Sequence, residues 1–155
     1  HRTLGETSMR IVVVSGYFNP LHVGHLDYLE SAKKLGDVLI VIVNNDDQVK
    51  IKGSTPFMSL EDRLRIVKAI GCVNISIPSV DKDSSVVQTL NILHTKYSLE
   101  WDFDEMIFAN GGDRKEDNIP EYKLCEDRGI RMAFNVGGGK TESSSTLVGR
   151  VSGEK

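Results

Sequence analysis

The chain has little with which to build a covalent scaffold, a membrane anchor or a nucleic-acid surface. Its 155 residues contain two cysteines, Cys72 and Cys125, too few for a disulfide framework. That scarcity favours a reduced, cytoplasmic setting. No apolar run approaches the roughly 18 residues of a bilayer span, so no membrane partner is expected. Positive charge is not in excess: 19 Lys and Arg stand against 22 Asp and Glu, for a net charge of −3. A general nucleic-acid binder normally carries a basic face, and none is expected here. A small phosphorylated ligand is still allowed, since a few local Lys or Arg suffice for it. Histidine is also sparse. Of four in the chain, two stand three residues apart in His22-Val23-Gly24-His25. No neighbouring Cys, Glu or third His completes the three or four ligands of a zinc site, so a metal hydrolase is disfavoured.

What is present is an ordinary globular composition, 39% hydrophobic and 26% charged, in a chain long enough for one sizeable core. Short β-branched runs alternate with helical spacing. Strands are expected at 10–15, 38–43, 73–77, 105–109 and 130–136, where runs such as Val38-Leu39-Ile40-Val41-Ile42-Val43 suit burial on both faces. Helices are expected at 25–35, 59–70, 84–97 and 119–128, with a short last one at 144–151. Gly36 suits the C′ position of the first. Ser59 and Asp62 suit a capping box at the second, which Gly71 ends. In the third, Val87, Leu90, Ile92 and Leu93 face inward. Pro120 sits near N1 of the fourth and Gly129 past its end. The alternation predicts an α/β, Rossmann-like doubly wound five-stranded parallel sheet with helices on both faces. Residues 9–151 form one domain in this reading. Residues 1–8 read as a tag remnant or disordered lead before Met9, and 152–155 as a loose tail.

Such sheets bind ligands outside the carboxyl ends of their strands. The loops there, 16–24, 44–55, 79–83, 110–117 and 137–143, hold most of the unusual Gly, Asn, Asp and Lys. The histidine pair falls in the first, just ahead of a helix. Backbone N–H groups at a helix N-terminus favour an anion. Gly24 lets the chain approach a ligand without a Cβ in the way. Two imidazoles can donate hydrogen bonds to phosphate oxygens that gain charge during transfer.

The stretch Ser15-Gly16-Tyr17-Phe18-Asn19-Pro20-Leu21-His22-Val23-Gly24-His25, continuing to Asp37, resembles the opening of the cytidylyltransferase-like nucleotidyltransferases. The resemblance runs from about Met9 to Val151 and implies the same fold. It implies that His22 and His25 contact nucleotide phosphates and that the backbone at Gly16, Tyr17 and Phe18 meets the nucleotide. Lys52-Gly53 matches the place of a mobile phosphate-reaching lysine. Glu61-Asp62-Arg63 matches an E-x-R motif, in which Arg63 contacts substrate, pins the loop or, the favoured reading, does both. Asn110-Gly111-Gly112-Asp113 is similar to the G-G-D turn of the ADP-heptose synthase adenylyltransferase domain more than to the G-D-D of the glycerol-phosphate enzyme. Arg114 and Lys115 add positive charge beside it.

Gly139-Lys140-Thr141 looks like the end of a Walker A loop, but that motif needs a glycine where Phe134 stands. The family reading fits better. It makes Lys140 and Thr141 nucleotide-binding, with Lys140 neutralising charge, and places the Ser145 and Thr146 hydroxyls, with the free N–H groups of a final helix, on the β- and γ-phosphates. The implied reaction moves a nucleoside monophosphate from CTP or ATP, brought with Mg²⁺, to a small phosphorylated alcohol or sugar, releasing pyrophosphate. CMP is the favoured group; AMP transfer to a sugar phosphate is the alternative. A non-catalytic nucleotide sensor is the rival of another class. A tRNA-synthetase fragment is disfavoured by length, charge and the lack of a K-M-S-K-S loop. The resemblance leaves a homodimer open. Two departures stand out: Asn19 where relatives often carry Asp, and Gly71 where some glycerol-phosphate enzymes carry Arg.

Overall fold

The computed structural model describes residues 9–112 and 119–137. In chain order its elements are β1 (Arg10–Gly16), α1 (Val23–Lys33), β2 (Val38–Val43), α2 (Asp46–Ile51), α3 (Leu60–Lys68), β3 (Ile75–Pro78), α4 (Val87–Glu100), β4 (Glu105–Ala109), α5 (Tyr122–Arg128) and β5 (Arg131–Ala133). The strands form one five-stranded parallel sheet in the order β3-β2-β1-β4-β5. The expectations for 1–8, for Asp113, Arg114, Lys115 and for the last helix and tail lie outside the described residues.

Unbroken apolar runs mark the central strands because both their faces are covered. Ile11, Val13, Ile40, Ile42, Met106 and Phe108 pack against Leu90, Leu93 and Tyr97 of α4 and Cys125 of α5. Their neighbours Val12, Val14, Leu39, Val41, Val43 and Ile107 pack against Leu29 and Ala32 of α1 and Val67 of α3. Residues 11–14 of β1 are wholly buried. Burying each such Val or Ile contributes roughly 1.5–3 kcal/mol, which leaves no room for a polar residue in the sheet centre.

Several boundaries differ from the pattern-based reading, each for a local reason. The third strand starts at Ile75, not Val73, and runs to Pro78; it is an edge strand, where a missing N–H is tolerated. Gly36 does not take a left-handed φ. It is small because a Cβ would lie 2.8 Å from the Arg10 carbonyl oxygen and from Val12 Cγ2. Gly71 is not the cap of α3, which closes on right-handed Ala69. Ser59 does cap that helix, its hydroxyl accepting the Asp62 N–H at 3.2 Å. In α4 the buried side chains are Thr89, Leu90, Leu93 and Tyr97, while Ile92 is 53% exposed on the opposite side. Helix α5 starts at Tyr122, so Ile119 and Pro120 precede it; Gly129 ends it with φ +72°, as expected.

One element was not anticipated. Helix α2 lies inside the segment read as a loop. Only Val49 of its six residues is a buried apolar side chain, so no apolar period announces it. It is held instead by Asn45, whose side chain accepts the Gln48 N–H at 2.9 Å, while Gln48 Oε1 accepts the Asn45 N–H at 3.0 Å.

Candidate active site

The sheet order reverses at β1, whose neighbours are β2 on one side and β4 on the other. Ligands in open α/β sheets bind in the crevice at such a switch point. The loop leaving β1 enters it carrying both histidines. The ring of Phe18, only 1% exposed, drops into the core beside Leu29 and anchors that loop. Phe18 takes φ +51°, and its ring so closely covers Gly16 that a Cβ there would meet it at 2.7 Å. The Phe18 side chain is therefore structural.

His22 is the N-cap of α1, in extended conformation. Its Nδ1 accepts the Gly24 N–H at 3.1 Å. His25 Nδ1 accepts the His22 N–H at 3.0 Å. An imidazole nitrogen that accepts is unprotonated, so both neutral rings carry their proton on Nε2. The two donors that remain are thus Nε2–H groups, and neither has a protein partner among the described residues. The ring centroids lie 3.8 Å apart, tilted by 32°. Phe18 meets the His25 ring edge-on at 5.0 Å and helps fix its plane. His25 has its pKa lowered, first by burial and then by His22 and Lys52, which keeps it neutral near pH 7. Gly24 has a steric reason to be glycine: a Cβ would sit 2.9 Å from His22 Cε1.

Lys52 is the C-cap of α2 and places its ammonium 4.3 Å from the Tyr17 ring centroid. That contact brings the cation to the mouth of the histidine loop. Arg63 lies deeper and is fully buried. Its Nε donates to Met58 O at 3.2 Å, and Nη1 to Tyr17 O at 2.9 Å and Asn44 O at 2.6 Å. Nη2 pairs with Asp46 Oδ1. Of the two roles weighed for Arg63, pinning is the one this geometry displays: one guanidinium joins the ends of β1 and β2 to α2 and to the segment before α3. In this conformation the Arg63 side chain has no exposed surface.

Across the crevice, Asn110 follows β4 and is buried; its N–H donates to Ala133 O at 2.8 Å. Gly112 takes φ +67°, and Gly111 lies against Tyr28 of α1, where a Cβ would come within 3.3 Å of the ring. Tyr28 Oη donates to Ala109 O at 2.7 Å, tying the histidine helix to the end of β4. Gly16, Tyr17, Phe18, Gly24 and Gly112 thus flank one switch point with His22, His25 and Lys52. Asp113, Arg114, Lys140, Thr141, Ser145 and Thr146 lie outside the described residues.

Sequence reasoning missed the polar frame under this site. Asn44, Gln48 and Asp81 are buried. Asn45 Nδ2 donates to Ser79 O and Asp81 O at 3.1 and 3.0 Å, and Gln48 Nε2 to Asp83 O and Ser85 O at 2.7 and 2.8 Å. Asp81 in turn accepts the Gln88 and Thr89 N–H groups at the start of α4. The spacing Asn45-x-x-Gln48 is a readable cap signature and could have revealed α2. Asn19, one of the two departures from the resemblance, grips the Thr55–Phe57 segment with its amide.

Among the described residues no group of three or more His, Cys, Asp or Glu is placed to hold a metal ion, and no helix is long and apolar enough to cross a membrane.

Known proteins are similar to this chain in sequence and in fold. The bifunctional protein HldE of Haemophilus influenzae is 38% identical over 114 residues, covering 68% of this chain and 24% of that protein. The chain therefore spans about a quarter of the length of that relative. The D-beta-D-heptose 1-phosphate adenylyltransferase of Bordetella bronchiseptica is 31% identical over 153 residues, covering 95% of this chain and 85% of the relative. Among solved structures, the lipopolysaccharide core biosynthesis protein of Thermoplasma volcanium superposes with a TM-score of 0.58 at 26% identity, over 82% of this chain and 94% of that one. The family described as cytidylyltransferase-like matches residues 13–130, from inside β1 to the residue before β5. With the paired histidines at the switch point of a parallel sheet, the conclusion is plain: this chain belongs to the cytidylyltransferase-like family.

Proposed function

We propose that the chain is an adenylyltransferase that moves AMP from ATP to the phosphate of a sugar 1-phosphate and releases pyrophosphate. The observation that carries the reading is the pair of Nε2–H donors fixed side by side at the N-terminus of α1, beside the Lys52 ammonium. Sequence alone favoured CMP as the transferred group. The heptose 1-phosphate adenylyltransferase relative, matched over nearly the whole chain, supports ATP and a sugar phosphate instead.

The chemistry asks little of the protein beyond placement and charge. A phosphate monoester has a second pKa near about 6 and is mostly a dianion at neutral pH, so no general base is needed. One of its oxygens attacks the α-phosphorus in line. The new bond is that oxygen to the α-phosphorus; the bond from the α-phosphorus to the bridging oxygen breaks, and pyrophosphate leaves with the electron pair. Mg²⁺ enters as part of the triphosphate substrate and retains several waters. His22 and His25 donate to oxygens that gain charge in the transition state. Lys52 offsets the repulsion between the two anions. Resemblance assigns Asp113, Arg114, Lys140, Thr141, Ser145 and Thr146 to the nucleotide and its β- and γ-phosphates.

Thermal unfolding with each of ATP, CTP, GTP and UTP plus Mg²⁺ tests the donor. A nucleotide at roughly 100 times its Kd adds about 2.7 kcal/mol, a shift of several degrees. ATP alone should give it. A shift with CTP alone returns the reading to cytidylyl transfer. Binding without pyrophosphate release, when a sugar phosphate is added, would make the chain a nucleotide sensor.

A further inference from the structure

The loop that carries the histidines is stitched to the segment that follows Lys52 by one side chain. Asn19 Nδ2 donates to Thr55 O at 2.8 Å, and Asn19 Oδ1 accepts the Phe57 N–H at 2.7 Å. The segment between Lys52 and α3 has few other ties: Gly53 N–H to Lys50 O at 2.9 Å, Ser54 N–H to Val49 O at 3.1 Å, and the Met58 carbonyl on Arg63 at 3.2 Å. Its largest side chain, Phe57, is 73% exposed and gives it no core anchor. Gly53, at φ +92°, turns the chain directly after Lys52.

We infer that Asn19 is a positioning residue: by its two-point amide contact it holds the Thr55–Phe57 segment to the histidine loop, and so sets where Lys52 stands relative to His22 and His25. The geometry uses both halves of the amide. A carboxylate at this position keeps the acceptor for Phe57 N–H but loses the donor, and sets a negative oxygen against the Thr55 carbonyl. Asn19 therefore does more than omit a charge. Lys52 itself rests over Tyr17, two residues before Asn19, so both ends of the stitch bear on the same cation. The inference rests on the proposed transfer reaction for its kinetic test but not for its structural one.

The structural test is hydrogen exchange of residues 53–58 in the intact chain, wild type against Asn19→Ala and Asn19→Asp. Faster exchange at Phe57 in Asn19→Ala is expected. Asn19→Asp should retain Phe57 protection while the segment around Thr55 exchanges faster. Unchanged exchange in both variants overturns the stitch. The kinetic test is a double-mutant cycle with Lys52→Ala. Asn19→Ala should lower kcat/KM for pyrophosphate release roughly tenfold in the wild-type background, the scale of a displaced catalytic group. In the Lys52→Ala background it should cost less than about twofold. An equal loss in both backgrounds, with unchanged unfolding midpoints, shows that Asn19 does not act through Lys52. If the wild-type chain releases no pyrophosphate with any nucleotide, the proposed function fails, and the exchange result still decides the stitch.

Discussion

His22 and His25 cap one turn of helix in opposite senses: His22 takes the Gly24 N–H, and His25 takes the N–H of His22 itself. A single geometric device thereby fixes two tautomers and turns two Nε2–H groups over to the crevice. Replacing His25 by Ala should lower turnover by roughly 10²- to 10³-fold, the usual loss for one such donor. The lost cap should cost only about 1 kcal/mol of stability. Steady-state pyrophosphate release and urea unfolding of the same variant separate the two effects. Full activity in a folded His25→Ala chain would remove His25 from the mechanism.

Gly24 offers a way to disturb the pair without deleting either ring. A methyl there meets His22 Cε1 at 2.9 Å, so the His22 ring must move. Gly24→Ala should therefore depress kcat at least roughly tenfold, as expected when a positioned catalytic group shifts. The unfolding midpoint should hardly change, since alanine favours the first turn of a helix. A loss of stability without loss of rate would contradict the assignment.

Acid should weaken the fold partly through His25. Burial, then His22 and Lys52, lower its pKa in the native state. An unfolded imidazole titrates near about 6.5, so as pH falls the unfolded chain takes up its proton first. The stabilising contribution is fully present above about pH 6.5 and is lost as pH falls through the native value. His94 shifts the same way, through burial and Arg128. Denaturant midpoints measured between pH 5 and pH 8 should fall on the acid side, and less steeply in His25→Gln. Parallel curves for the two proteins would exclude His25 as a contributor.

Much of this was legible in the sequence. The bounds of β2 and β4 fall where the sequence places them, because the buried stretches 39–43 and 106–109 are wholly apolar, as a strand covered on both faces requires. The histidine pair was legible too, because its spacing and its place after β1 are local facts. Helix α2 was legible only in its Asn45-x-x-Gln48 cap: no apolar period marks it, and its amides bond to carbonyls at Ser79, Asp81, Asp83 and Ser85, some thirty residues away in the chain. Arg63 was ambiguous for the same reason. Nothing in Glu61-Asp62-Arg63 tells that the guanidinium is enclosed by carbonyls from the ends of two strands. Gly36 was misread because a glycine needed for close approach to Arg10 looks, in sequence, like one needed for a left-handed turn.

Arg63 should prove structural when removed. Arg63→Ala leaves the Tyr17, Asn44 and Met58 carbonyls without this donor and Asp46 without its buried partner. Asp46 is 42% exposed and is left to water, so the main loss is the carbonyls left without a donor, roughly 1–3 kcal/mol for a buried one, or several degrees in midpoint for a chain of this size. Activity per folded molecule should fall as well, since both the histidine loop and α2 lose their tie. Calorimetry of Arg63→Ala checks this, and an unchanged midpoint would show that the clamp is not needed.

The most direct measurement is pyrophosphate release by the wild-type chain and His25→Ala, with ATP or CTP, Mg²⁺ and a heptose 1-phosphate, with the sugar product identified by mass. The account requires an ADP-sugar from the wild type, little or no product with CTP, and a roughly 10²- to 10³-fold slower reaction in the variant. A CDP-sugar in place of the ADP-sugar, or equal rates from the two proteins, would contradict it.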